Sequence, residues 1–182
     1  MRHGTYPRAA WAMGPNLVLE LCGGLQMASF SERLQVGETH ERRVADELRR
    51  RGWVVDQWGQ GVLSKPIRDG LWRSNSRLRY LPDLIATRDS DIVTIDCKDR
   101  MQSKTGRYSV KRECVNFGLQ LTALGVPVFY VFGNLAVLIP TEVMSYDRIG
   151  PHATGSGAYL LVSERNAREL DDVFGIPGTA SA

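Results

Sequence analysis

No apolar run in the sequence approaches the roughly 18 residues that cross a membrane. Near the start, Leu17-Val18-Leu19-Glu20-Leu21 is short and carries a charge. Neither a membrane partner nor a signal peptide is expected. There are only three cysteines (Cys22, Cys97, Cys114), an odd number without metal-type spacing. They read as reduced thiols in a cytoplasmic compartment. The three histidines (His3, His40, His152) are scattered, so a zinc site is not expected. No G-x-x-x-x-G-K-[ST] loop points to ATP use. The formal net charge is +3, too small to establish nucleic-acid binding, so the placement of charge carries more than its sum.

What is present is an ordinary globular composition, 43% hydrophobic and 24% charged over 182 residues, enough for one domain with a buried core. Residues 1–26 hold Gly, Pro and Arg with little periodicity and read as a disordered extension. Residues 27–175 read as a single domain, and 176–182 as a flexible tail. A helix is expected from Thr39 to Arg51, with Val44, Ala45 and Leu48 as its apolar stripe and Gly52 as its stop. Trp53–Trp58 reads as a strand. Residues 59–80 are polar and rich in turn formers, with five basic residues (Lys65, Arg68, Arg73, Arg77, Arg79) against one acid (Asp69), and with Trp72 and Tyr80 interleaved.

Strands are expected at Leu84–Thr87 and Ile92–Lys98, joined by a turn at Arg88–Asp91. A second helix is expected over Ser109–Leu124, striped by Val110, Cys114, Phe117, Leu121 and Leu124. Val126–Phe132 and Leu135–Ile139 read as a hairpin turning at Gly133-Asn134. After a Gly/Ser-rich loop (Gly150–Gly157), a strand at Tyr159–Val162 precedes a helix capped by Ser163 and ending near Phe174-Gly175. This order implies an α/β fold, a mixed central sheet flanked by helices.

The chemistry is concentrated in Ile92-Val93-Thr94-Ile95-Asp96-Cys97-Lys98. Side chains alternate along a strand, so Asp96 and Lys98 emerge together at its end. A hairpin brings Asp83 towards Asp96. Paired carboxylates repel unless a cation lies between them, and Mg²⁺ prefers such oxygen ligands. A cation there can polarise a phosphodiester and activate water. Lys98 can orient or deprotonate that water and stabilise developing negative charge. Glu41 extends the apolar stripe of the first helix, where an acid needs a partner; alternatively it is a helix N-terminal acid favoured by the macrodipole, a role Glu38 could also fill.

Asp83 with Asp96-Cys97-Lys98 resembles the PD-(D/E)xK nuclease motif. Gly37-Glu38-Thr39-His40-Glu41-Arg42, Leu81-Pro82-Asp83-Leu84-Ile85-Ala86 and Gly125-Val126-Pro127-Val128 resemble segments of archaeal-type Holliday junction resolvases, over roughly residues 37–132. The resemblance implies a restriction-endonuclease-like fold. It implies Glu41, Asp83, Asp96 and the Cys97 carbonyl as metal ligands and Lys98 as the catalytic lysine. It implies Mg²⁺ as cofactor, with Mn²⁺ substituting, and a homodimer acting on junction DNA in recombination or repair. Asp96 stands where the resolvases often have Glu, and the basic 59–80 stretch departs from their compact form.

Candidate DNA contacts are Ser64, Lys65, Arg100, Lys104, Arg107, Lys111 and Gln120. Ser64-Lys65 and the basic stretch could grip phosphates with Trp72 stacked on a base, or form a solvated loop with one anchoring aromatic. Lys111 and Gln120 could equally be solvated helix residues. Cys97 and Cys114 read as buried small apolar residues rather than nucleophiles. Two other functions fit the same residues: a restriction-like or repair- or transposition-associated nuclease, and a non-catalytic DNA-binding derivative.

Overall fold

The computed structural model of the protein describes residues 30–99, 102–103, 106–146, 148–149 and 159–178. The readings of residues 1–26, of the Gly150–Gly157 loop and of Arg100 and Lys104 fall outside them. The first helix, α1, spans Phe30–Arg50, starting well before Thr39. Gly37 weakens the local helix signal by about 1 kcal/mol relative to alanine, yet the helix runs through it. Val44, Ala45 and Leu48 are buried as the stripe requires, and Gly52 ends the turn at φ 82°.

Next come β1 (Val54–Gln57), α2 (Lys65–Arg73), β2 (Leu84–Arg88) and β3 (Asp91–Lys98). β4 (Gln102–Ser103) and β5 (Arg107–Lys111) lead into α3 (Arg112–Ala123). β6 (Val128–Phe132), β7 (Val137–Leu138), α4 (Pro140–Ser145), β8 (Arg148–Ile149), β9 (Tyr159–Ser163) and α5 (Leu170–Phe174) complete the chain. The main sheet has the order β1-β2-β3-β6-β7 and is mixed: β3 and β6 are parallel, the other pairs antiparallel. Helices flank it, so the expected α/β architecture is the one the chain forms.

Alternation along β3 and β6 divides the core in two. Val93, Ile95 and Val131 face α1 and α5, with Leu84, Ala86, Trp53 and Phe174. Tyr130 and Phe132 face the opposite way, towards Tyr108, Val110, Val115, Leu160 and Val162. The second cluster rests on an unexpected second sheet, β4-β5-β9-β8.

That sheet corrects the reading of Ser109–Leu124. Val110 lies on β5, paired with Leu160, and the helix begins only at Arg112. The ladder to β9 joins residues about fifty positions apart, which a local helical period cannot register. The buried helix positions are Val115 and Gly118, whereas Leu124 is 79% exposed.

Residues 59–80 are likewise not a plain loop. They fold as two 3-10 turns (Gly59–Val62 and Arg77–Tyr80) around α2, whose first turn contains Pro66. Proline suits a first turn because its missing N–H would have no helical partner there. The hairpin after β6 has a three-residue loop, closed by Phe132 N–H donating to the Ala136 carbonyl (3.0 Å), with Leu135 at φ 68°. Ser163 caps a 3-10 turn rather than a full helix; Arg168 then bridges to Val137, and only Leu170–Phe174 is helical.

Candidate active site

β2 and β3 form a tight hairpin in which Arg88 pairs with Asp91 and Asp89 takes a left-handed φ of 54°. Its register, Leu84 opposite Ile95, extends by one residue to set Asp83 opposite Asp96. The Cys97 N–H donates to Asp83 Oδ2 (2.8 Å), fixing the carboxylate at the sheet end. Asp96 is 8% exposed, and its Oδ1 accepts from the Lys98 ammonium, the neighbour that alternation placed on its face. The Lys98 ammonium also sits 6.0 Å from the Tyr130 ring centre.

Glu41 approaches from α1. Glu41, Asp83, Asp96, Cys97 and Lys98 line one cavity of about 180 Å³, with Gln60, Arg79, Tyr80, Leu81 and Cys114. A larger cleft of about 840 Å³ shares Glu41, Gln60 and Asp83 and extends to Lys65, Arg68 and Trp72. The segment that carries Gln60 is pinned at Gly59. A Cβ there would stand 2.3 Å from the Pro82 carbonyl oxygen, and φ is +60°, so only glycine fits. Beside it, the Trp58 N–H donates to the Asp83 carbonyl (2.7 Å).

The electrostatics are those of crowded acids. Burial raises the Asp83 pKa well above its ordinary value, and Asp96 and Glu41 add to the rise while Lys98 opposes it. Burial also raises Glu41, with Glu38 and Asp96 contributing. For Lys98, burial works against the charge, but Asp96, Cys114 and Asp83 outweigh it and the pKa lies above the usual lysine value. Lys98 is therefore an ammonium at neutral pH, partly neutralising the acids.

The donor set is hard oxygen, which suits Mg²⁺ or Mn²⁺. Among the described residues, no three His, Cys, Asp or Glu side chains stand preassembled around one cation position. One oxygen of Asp96 accepts from Lys98, and one oxygen of Asp83 accepts from the Cys97 N–H. A cation would compete with Lys98 for Asp96 and relieve the repulsion that raises Asp83.

No family model matches the chain, and no curated protein matches it. Among solved structures, the Holliday junction resolvase Hjc from Archaeoglobus fulgidus is similar, with a TM-score of 0.49 and 14% identity over 76% of this chain and 95% of that one. A likeness at that level says nothing about chemistry, which has to be read from the side chains.

The other candidate residues are spread more widely. Lys111 ends β5 with its ammonium 5.5 Å from the Tyr80 ring centre, close to the cavity wall. Gln120 is exposed on α3, and its amide oxygen accepts from Arg77. Lys65 lines the larger cleft but is paired with Asp69 (2.6 Å). Ser64 is the N-cap of α2, without a capping side-chain bond. Arg107 starts β5, opposite Ser163, and lines neither cavity.

Tyr80 and Gln60 line the cavity without being candidates, and Arg79, a candidate only as one of the basic residues in the 65–79 stretch, lines it beside them. The alternation of basic and aromatic residues in 72–80 is the signal for Arg79 and Tyr80; Gln60 has none. His40 was also passed over: it is 3% exposed, with Nε2 3.1 Å from the Val131 carbonyl oxygen and Nδ1 3.9 Å from Asp99. It ties α1 to β6 beside Glu41.

Proposed function

We propose that the protein is a metal-dependent DNA endonuclease that hydrolyses phosphodiester bonds, with branched or four-way junction DNA as its substrate and Mg²⁺ as its cofactor. The observation that carries this reading is the meeting of Glu41, Asp83 and Asp96 with Lys98 in one cavity, from a helix and two hairpin strands. Glu41, Asp83 and Asp96 would hold the cation. The Cys97 carbonyl would join them, since the N–H and C=O of a strand residue point to the same side and the Cys97 N–H already points at Asp83. A bound cation would supply Lewis-acid polarisation of the phosphate and lower the pKa of a water.

The remaining work falls to the chain. With a cation held by Asp96, the Lys98 ammonium would be free to reach a non-bridging phosphate oxygen. There its positive charge would stabilise the negative charge that builds on the phosphate oxygens as water adds and the leaving oxygen departs. Asp83 keeps its bond to Cys97 N–H and so holds the hairpin end in place through the reaction.

Cleavage in Mg²⁺ of matched four-way junction, flap, linear duplex and single-stranded DNA tests the reading. The junction should be cut and the linear duplex spared. Equal cutting of the duplex refutes junction selectivity, and no cutting of any substrate refutes the endonuclease. A restriction-like or repair nuclease is the second reading. It is favoured by the folded 59–80 segment, which widens the approach to the acids into the 840 Å³ cleft.

A further inference from the structure

The 59–80 segment carries a stack of rings and cations that the hydrolysis described above does not use. The Arg79 guanidinium carbon lies 4.8 Å from the Tyr80 ring centre and 5.0 Å from the Trp72 ring centre. The Lys111 ammonium lies 5.5 Å from the Tyr80 ring centre. Arg79 also donates to the Tyr80 hydroxyl (2.6 Å), while its Nε is buried without a hydrogen-bond partner. The guanidinium is thus held by ring faces and one hydroxyl, with donor capacity left over.

One end of this stack is open. Trp72 is 57% exposed, on a helix with no buried residue. A large ring so exposed on a short helix is not there to fill a core. The two ends of the stack border different parts of one trough. Arg79 and Tyr80 line the cavity that holds Asp83 and Asp96, and Trp72 lines the larger cleft that shares Glu41, Gln60 and Asp83 with it.

Resting on the reading of the carboxylate cavity as a DNA-cleaving site, we propose that Trp72 stacks on an unpaired nucleobase next to the cut, while Arg79 and Lys111 hold the adjoining phosphates. Trp72 and Arg79 then determine specificity. They favour DNA with an unstacked nucleotide at the branch over an intact duplex, whose bases have no free face. Cations and rings together select the occupant: Arg79 and Lys111 lie against the Tyr80 ring, and Lys65 and Arg68 line the cleft beside Trp72, which suits a polyanion carrying aromatic bases. Fixing Arg79 between rings before binding reduces the entropy lost when it meets a phosphate.

The test is binding of the full chain in EDTA, so that cleavage does not enter. The probes are a fully paired duplex and the same sequence with a two-nucleotide gap. Trp72→Ala should weaken binding to gapped DNA by about 5- to 100-fold, the stacking contribution of one base, with little change for duplex. Trp72→Phe should keep the affinity for gapped DNA and reduce the DNA-dependent quenching of tryptophan fluorescence, leaving at most the share of Trp58 beside Asp83. Arg79→Ala should reduce the salt dependence of binding by about one phosphate contact. Unchanged affinity of Trp72→Ala for gapped DNA, or an equal loss on duplex, overturns the proposal. So does quenching that is undiminished in Trp72→Phe, a result that stands even if the alanine variant does not fold. A protein that shows these binding effects but cuts no DNA in Mg²⁺ refutes the endonuclease alone. One that cuts junctions but is indifferent to Trp72 refutes the stacking alone.

Discussion

Replacing Asp83 with Asn should raise the stability of the protein in EDTA and remove its stabilisation by Mg²⁺. The substitution keeps an oxygen that can accept from the Cys97 N–H (2.8 Å), so the hairpin end remains tied. It removes one of the acids whose mutual repulsion, together with burial, holds Asp83 above its ordinary pKa. Two charges about 4 Å apart interact by about 4 kcal/mol at an effective dielectric constant of about 20. Partial protonation and Lys98 absorb much of that, leaving a gain of about 1–3 kcal/mol at pH 8 in EDTA. With about 2–4 °C per kcal/mol for a chain of this size, Asp83→Asn should melt about 2–12 °C above the native protein. At Mg²⁺ 100-fold above its Kd, the native protein should gain about 2.7 kcal/mol, or about 5–10 °C, and the variant almost nothing. Thermal melts at pH 8 with EDTA or with Mg²⁺ read both effects. A variant less stable than the native protein in EDTA, or an equal Mg²⁺ shift in both, refutes the reasoning.

Three further outcomes follow from the same structure. Because the folded carboxyls of Asp83 and Glu41 lie above their unfolded values, the metal-free protein binds protons that the unfolded chain releases; their contribution to stability is full below the unfolded carboxylate pKa and is lost as pH rises through the folded values, so melts in EDTA should fall with pH over that window and Mg²⁺ should flatten the fall. Arg51 is buried between Glu47 (2.7 Å) and Asp171 (3.0 Å from Nε), so Arg51→Ala should cost about 3–5 kcal/mol in urea denaturation, against at most about 1 kcal/mol for Asp171→Asn, whose side chain is half exposed. A Cβ at Gly133 would stand 2.6 Å from the Asp99 carbonyl oxygen, so Gly133→Ala should cost about 1–3 kcal/mol and, by displacing the end of β3 next to Lys98, lower kcat more than it changes DNA affinity.

The main sheet was legible because its signals are local. Alternation in 92–98, the short turn at Asp89-Ser90 and the stripe of Val44, Ala45 and Leu48 each lie within one element. They are enough to bring Asp83, Asp96, Lys98 and Glu41 to one end. What was missed depends on distant partners. Val110 satisfies a helical stripe as well as a strand, and only its pairing with Leu160 decides between them. The helix at Lys65–Arg73 is short and buries nothing, so its two-residue stripe of Ile67 and Leu71, with Ser64 and Pro66 at its start, is too brief to stand out among the turn formers around it. Arg79 was visible as a charge, but its place between Trp72 and Tyr80 depends on how two 3-10 turns fold back on α2.

The central claim is that these acids and Lys98 cut DNA with a divalent cation. Single-turnover cleavage of a four-way junction by native protein, Asp83→Asn and Lys98→Ala, each in Mg²⁺ and in EDTA, tests it most directly. Native protein should cleave in Mg²⁺ alone, both variants should lose turnover by at least about 100-fold, and Lys98→Ala should bind the junction about as well as native. Cleavage in EDTA, or native rates from Lys98→Ala, would contradict the claim.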